Sequence, residues 1–65
     1  MKERPIYVVR FVRDTDVEAE LNRWDYEGYD LGRVEHLGSW STTDKDGDVL
    51  DSGERFMLIF RRRSA

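Results

Sequence analysis

The chain has no cysteine and a single histidine among its 65 residues. Without thiols it forms no disulfide and no thiolate metal site, and one imidazole cannot build a multi-histidine zinc site. A domain of this length buries only about 60% of the surface that its unfolded chain exposes, so it is marginal alone. Oligomerisation is then the remaining source of stability, and we predict no cofactor.

Long apolar runs are also missing. The longest, Phe56–Phe60, has five residues, whereas a membrane-spanning helix needs about 20. The first residues, Met1–Pro5, are not followed by the apolar segment of a signal peptide. Secreted domains this small are usually rich in cysteine. Together these absences predict a cytoplasmic protein without a membrane partner.

A positive charge surplus is absent as well. The chain has 14 acidic and 11 basic residues, for a net charge of −3. General nucleic-acid binding needs a basic surface, so we do not expect it. The charge is nevertheless uneven, because Asp44–Asp51 is acidic and Arg61–Arg63 is basic. The arginine run favours a solubilising strand end over a phosphate contact.

Two segments, Ile6–Val12 and Phe56–Phe60, are rich in β-branched and aromatic residues, which predicts strands. Side chains of a strand alternate between the two faces of a sheet. The first strand therefore places apolar groups on both faces: Tyr7, Val9 and Phe11 on one, and Ile6, Val8 and Val12 on the other. One helix covers one face, so the second face needs a partner, most simply another copy of the chain.

A single apolar stripe at i, i+4 and i+7 predicts one helix over residues 16–27, formed by Val17, Leu21 and Trp24. Thr15 and Glu18 have the spacing of a capping box, so we predict Thr15 as the N-cap. Gly28 suits the left-handed position that follows a helix. In that geometry Tyr29 is expected to contact Trp24.

A second strand begins near Tyr29, with a bulge or bend expected at Gly32, where the apolar alternation slips. Asp46-Gly47 predicts a hairpin turn. Ser52-Gly53 predicts a bulge or loop before a last strand over residues 54–62. The fold class is therefore α+β in one domain, 1–65, with the order β-α-β-β. We favour a mainly antiparallel sheet in the order 1-3-2 with the helix on one face; the alternative pairs the first two strands in parallel.

Catalytic and metal motifs are weak. Aligning Asp44–Asp48 with a calcium loop puts Thr42 and Gly53 where two key carboxylates belong, so a solvated turn is expected and no metal. His36 is the only acid–base group suited to neutral pH. We predict no catalytic residue and no enzyme, and a small His36-dependent enzyme is the least favoured alternative.

Five residues form the predicted ligand site. Arg10 and Arg33 are candidates for phosphate, because guanidinium groups bind phosphate in a fork. Trp40 and Tyr29 are candidates for stacking on a planar ligand, and His36 for polar contacts. Packing of Trp40 on the helix or on a neighbouring copy is the alternative for that side chain.

Several segments resemble the small DUF4177-type domains of bacteria and phages: Tyr7-Val8-Val9, Leu21-Asn22, Glu27-Gly28-Tyr29-Asp30-Leu31 and Phe60-Arg61. The resemblance covers most of residues 6–37 and 56–61, and the chain departs from it at Gly32, Arg33 and His36. It implies a fold but no activity, because the family has no established general function.

The chain is also similar in size and lack of cysteine to phage proteins that sequester nucleotide immune signals between subunits. Our leading hypothesis is a non-enzymatic homo-oligomer, encoded by a phage, that binds a small anionic ligand such as a nucleotide in the host cytoplasm. The alternative is an adaptor or inhibitor that contacts a host protein through a sheet edge or the second sheet face.

Overall fold

A computed structural model describes residues 4–63, so residues 1–3 and 64–65 of the predicted domain lie outside the description. The elements are β1 (Tyr7–Arg13), a 3-10 turn (Asp14–Asp16), α1 (Val17–Tyr26), β2 (Tyr29–Thr43) and β3 (Val49–Arg62). The strands form one antiparallel sheet in the order β1-β3-β2, with α1 packed on one face. The predicted α+β class and central last strand are confirmed, and the alternative with parallel first strands is wrong.

The core lies between α1 and one face of the sheet, which we call the helix face. Its buried side chains come from all three strands: Val12, Tyr29, Leu58 and Phe60. The predicted helix stripe of Val17, Leu21 and Trp24 packs against them. The rings of Trp24 and Tyr29 meet edge-on with centroids 5.5 Å apart, which confirms the contact expected after Gly28. Most of the apolar burial of the domain is therefore on this face.

The sequence prediction is confirmed at the C-terminal end of α1 and is wrong at the N-terminal end. Gly28 has φ 93°, so the left-handed position at the C-terminal end is confirmed. The capping role predicted for Thr15 is wrong, because Thr15 lies inside the 3-10 turn and Asp16 is the N-cap. The preceding carboxylate is responsible: Asp14 Oδ1 accepts the backbone N–H of Thr15 at 2.9 Å and tightens the chain before the α-helix begins.

The pairing of β2 with β3 changes register three times, the last time between Thr42 and Thr43, next to the hairpin turn. The slip between Leu31 and Arg33 confirms the bulge predicted at Gly32. A second slip, between His36 and Gly38, places Trp40 opposite Gly53. The bulge or loop predicted at Ser52-Gly53 is wrong, because both residues pair in register with β2 and β3 is continuous from Val49.

The turn joining β2 to β3 is held by one carboxylate. Asp44 Oδ1 accepts the backbone N–H groups of Asp46 and Asp48 at 2.9 and 3.0 Å, and Gly47 has φ 88°. This confirms the predicted hairpin. Among residues 4–63, no group of three histidine or acidic side chains is placed to hold a metal ion. Within the same range, no helix is long and apolar enough to cross a membrane.

The β2–β3 hairpin extends well beyond β1. β1 pairs only with residues 55–61 of β3, so residues 39–54 form a two-stranded ribbon that we call the arm. The arm gives the chain a longest dimension of 52 Å against 22 and 17 Å in the other directions. Its tip carries the acidic segment of the sequence.

Candidate binding face

None of residues 4–63 covers the face of the sheet opposite α1, and we call this face the open face. On β1 it carries Tyr7, Val9 and Phe11, which are 59%, 48% and 69% exposed. The prediction that one helix leaves these three side chains unpartnered within the chain is confirmed for the described residues. Strand register and alternation assign further members to this face: Arg13 of β1; Asp30, Arg33, Glu35 and Trp40 of β2; and Asp51, Gly53, Arg55, Met57, Ile59 and Arg61 of β3.

Arginines surround the apolar centre of the open face. Arg33 forms an ion pair with Glu35 on the same strand. Arg61 lies near the ring of Tyr7, with its guanidinium carbon 6.0 Å from the ring centroid. Within residues 4–63, Arg55 and Arg61 form no ion pair with a carboxylate. The open face therefore presents exposed aromatic rings beside the guanidinium groups of Arg55 and Arg61, whose charges are not paired with a carboxylate within that range.

The residues predicted to bind a ligand are not brought together. Arg10 lies on the helix face, where its Nε and Nη2 donate to the two carboxylate oxygens of Glu20 at 3.2 and 3.0 Å. Trp24 Nε1 donates to the same carboxylate at 2.7 Å. Arg33 lies on the open face, opposite Ile59 of β3. The two candidate phosphate ligands thus point to opposite sides of the sheet.

Tyr29 and His36 also have partners within the chain. Tyr29 is 2% exposed, and its hydroxyl donates to the carbonyl oxygen of Pro5 at 2.6 Å. A ring enclosed to this degree has no free side on which a ligand can stack. The Nε2 of His36 lies 3.1 Å from Oε2 of Glu54, and its ring centroid is 5.5 Å from that of Phe56. His36 remains partly exposed on the helix face, away from Arg33.

Trp40 fills the corner where β1 leaves the sheet, and it is only 8% exposed. Its Nε1 donates to Asp14 Oδ1 at 3.2 Å, and the guanidinium carbon of Arg13 lies 4.4 Å from its ring centroid. A Cβ at Gly53 would be 2.5 Å from the same Asp14 oxygen, so the glycine leaves room for the carboxylate. We call Arg13, Asp14, Trp40 and Gly53 the Trp40 cluster. Here Trp40 packs against the end of β1 rather than on α1.

The sequence contains a signal for the residues that the ligand prediction omitted. Tyr7 and Phe11 fall on the strand face that lacks a helix, by simple alternation. Arg55 and Arg61 have the same parity as Met57, so they fall on that face too. A search for aromatic and basic residues on the strand face that lacks a helix would have selected Tyr7, Phe11, Arg55 and Arg61.

Two carboxylates have lowered pKa values. The hydrogen bond from Arg10 is the main cause for Glu20, with a further contribution from Trp24, and together they outweigh the opposing effect of desolvation. For Asp14, the main cause is the backbone N–H of Glu54, followed among the lowering effects by the indole of Trp40. Both groups favour the charged form in the folded chain.

This charge arrangement predicts a pH dependence of stability. Because the folded pKa of Glu20 lies below its ordinary value of 4.5, its stabilising contribution is complete above that value and is lost as pH falls through the folded pKa. The free energy of unfolding, measured by urea titration between pH 7 and pH 3, should therefore decrease towards acid. Glu20→Gln should flatten part of this decrease, and the exposed Glu18→Gln should leave it unchanged. Equal pH profiles for the wild type and Glu20→Gln would contradict the prediction.

Fold and open face together define a small α+β domain with one unpaired, arginine-bordered sheet surface. Comparison of the chain with protein-family models, curated proteins and solved structures finds no match. The function is therefore argued from the chemistry of the open face.

Proposed function

We propose that the chain is a non-enzymatic binding protein that assembles with copies of itself and captures a small anionic ligand with a flat ring, such as a nucleotide. The observation that supports this most directly is the open face, where exposed Phe11 and Tyr7 lie beside arginines. The DUF4177-type resemblance, a phage origin, the host cytoplasm and a nucleotide immune signal as ligand belong to the same proposal.

The aromatic side chains supply the first part of the argument. Stacking a base on an aromatic side chain contributes about 1–3 kcal/mol, and every base has a face that can stack. Tyr7 and Phe11 are four residues apart on one strand, so their Cα atoms are about 13 Å apart. Each ring has room for its own base, which favours a ligand with one or two bases.

The arginines supply the second part. Phe11 is paired with Met57 of β3. Arg55 lies two residues from Met57 on β3, the strand next to β1, and Arg33 lies on β2, one strand farther away, opposite Ile59, which is two residues from Met57 in the other direction. A guanidinium group presents a planar fork of donors that matches phosphate oxygens. A base stacked on Phe11 would therefore have its phosphate within reach of a cation on either side. Arg33 is the member of the sequence-predicted ligand set that this arrangement retains.

Catalysis is less favoured by the same geometry. His36 lies on the helix face near Glu54, whereas the exposed rings are on the open face. General acid–base catalysis needs the catalytic group within hydrogen-bond reach of the reacting atom. A ligand on the open face would be separated from His36 by the sheet itself.

Nucleotide binding can be tested by isothermal titration with mononucleotides, linear dinucleotides and cyclic dinucleotides. A ligand at 100 times its Kd adds about 2.7 kcal/mol of stability, which should raise Tm by several degrees. Phe11→Ala should weaken binding by roughly 5- to 150-fold, corresponding to the loss of one stacking contact. Native mass spectrometry should return the bound nucleotide chemically intact.

Tyr26→Ala is the matched control, because Tyr26 is an aromatic residue that is 90% exposed on α1 rather than on the sheet. Its affinity should equal that of the wild type. Absence of binding across the whole panel, or unchanged affinity in Phe11→Ala, would reject the open face as a nucleotide site.

An adaptor function is the second candidate, favoured by the exposed apolar side chains of the arm. Val49 and Leu50 are 62% and 68% exposed. Such side chains, together with the open face or a free strand edge, suit contact with a host protein. An adaptor would bind a defined host protein, and nucleotides would leave its Tm unchanged.

A further inference from the structure

We propose that two copies pack open face against open face with their β3 strands antiparallel, so that the acidic arm of each copy contacts the basic end of the other. This inference rests on the self-association proposed above and does not depend on the identity of a ligand. The partner it specifies for the open face is a second copy of the chain.

The charges on β3 provide the evidence. Alternate residues of this strand face the open side, beginning with Asp51 on the arm and ending with Arg61 at the other end. The two residues are ten positions apart, which is about 33 Å along the strand. Within residues 4–63 neither side chain forms an ion pair. Each end of the open face therefore carries an unpaired charge opposite in sign to that at the other end.

A two-fold axis that is perpendicular to the strands and parallel to the sheet can bring both charges to charges of opposite sign on the second copy. It places β3 of one copy over β3 of the other in the reverse direction. If the axis passes between Arg55 and Met57, midway between Asp51 and Arg61, each Asp51 lies over the partner's Arg61. Symmetry repeats the contact, so the pair is closed and no charged end remains for a third copy.

The apolar centre of the open face is covered in the same arrangement. Arg55 and Met57 lie on either side of the axis, so each Arg55 is placed over the partner's Met57. Ile59 lies two residues beyond Met57 on the same face, so it enters the interface too. Phe11, beside Met57, is covered as well, so a base stacked on Phe11 and a second copy of the chain compete for the same surface. Opposite Tyr7 the partner contributes only its two-stranded arm, because β1 ends at Arg13. A recess beside Tyr7 thus stays open between the copies.

Complementary charge reversal tests the arrangement. Asp51→Arg and Arg61→Asp should each self-associate about 30-fold more weakly than the wild type in sedimentation equilibrium, because two ion pairs become two like-charge contacts. An equimolar mixture of the two variants should form a heterodimer of near wild-type affinity, because both of its contacts pair opposite charges. Raising the salt concentration should weaken the wild-type dimer.

Glu18→Arg is the control for a change of charge alone, since Glu18 is exposed on α1, and its dimer should match the wild type. Circular dichroism should show that all variants are folded, because the substituted residues are exposed. We expect self-association at micromolar concentration. A wild-type chain that is still monomeric at 100 times that concentration would overturn the proposal. So would single variants that dimerise normally, or a mixture that fails to restore association. Nucleotide binding is measured separately, so failure of one proposal is distinguishable from failure of the other.

Discussion

Trp40→Ala is expected to lower the free energy of unfolding by about 3–5 kcal/mol, the usual cost of truncating a buried large aromatic side chain. The chain has little stability to lose, because a domain of this length has roughly 3–10 kcal/mol in total. The substitution removes the ring that packs beneath Arg13 and leaves the carboxylate of Asp14 without its indole donor. Urea unfolding followed by circular dichroism would measure the loss.

Two further variants separate packing from hydrogen bonding in the Trp40 cluster. Trp40→Phe keeps an aromatic ring and should cost less than Trp40→Ala. Gly53→Ala should destabilise the wild type, because the new Cβ would collide with the carboxylate of Asp14 and with Nε1 of Trp40, and only the part due to Asp14 should disappear when Asp14 is also alanine. If Trp40→Ala abolished ligand binding while stability stayed at the wild-type value, Trp40 would be a stacking platform and the structural role would be rejected.

Tyr29→Ala should have an effect of similar size, about 3–5 kcal/mol, because Tyr29 is among the most buried side chains of the core. Its ring packs edge-on against Trp24, and its hydroxyl ties the chain before β1 to the start of β2 through Pro5. Thermal and urea unfolding would both report the loss. The ring contributes mostly through burial, so the apolar contacts should dominate the effect.

Tyr29→Phe isolates the hydroxyl, and about 1 kcal/mol is expected from its hydrogen bond to Pro5. Tyr26→Ala provides an exposed tyrosine for comparison and should change stability by less than about 0.5 kcal/mol. Similar losses in Tyr29→Ala and Tyr26→Ala would show that the enclosure of Tyr29 is not important for stability.

The elements that the sequence predicted best are those whose signals are local. The helix stripe, the glycine after α1 and the hairpin turn each depend on residues within a few positions of one another. The exposure of one face of β1 could be predicted because side chains alternate between the two faces of a strand and the sequence predicts one helix to cover them. Strand order could also be predicted, because the two most apolar strands had to share the core.

The candidate site was harder to predict because long-range pairing decides which charges are free. Nothing near Arg10 in the sequence indicates that Glu20, one helix turn into α1, neutralises it across the core. The fate of Trp40 depends on an extra residue in β2 between His36 and Gly38, which changes the register against β3. Gly53 and Asp14 then enclose the indole, although they are far from it in sequence.

The central position of β3 also fixes the order in which the chain can assemble during synthesis. Of the three strands β1 is made first, yet its neighbour in the sheet described for residues 4–63 is β3, the last of the three to be made. β2 and β3 are joined by a short turn and can pair as soon as both have emerged, whereas Tyr7 must wait for Arg61. β1 therefore has no strand partner until β3 has been made, so the β2–β3 hairpin can form before the sheet closes.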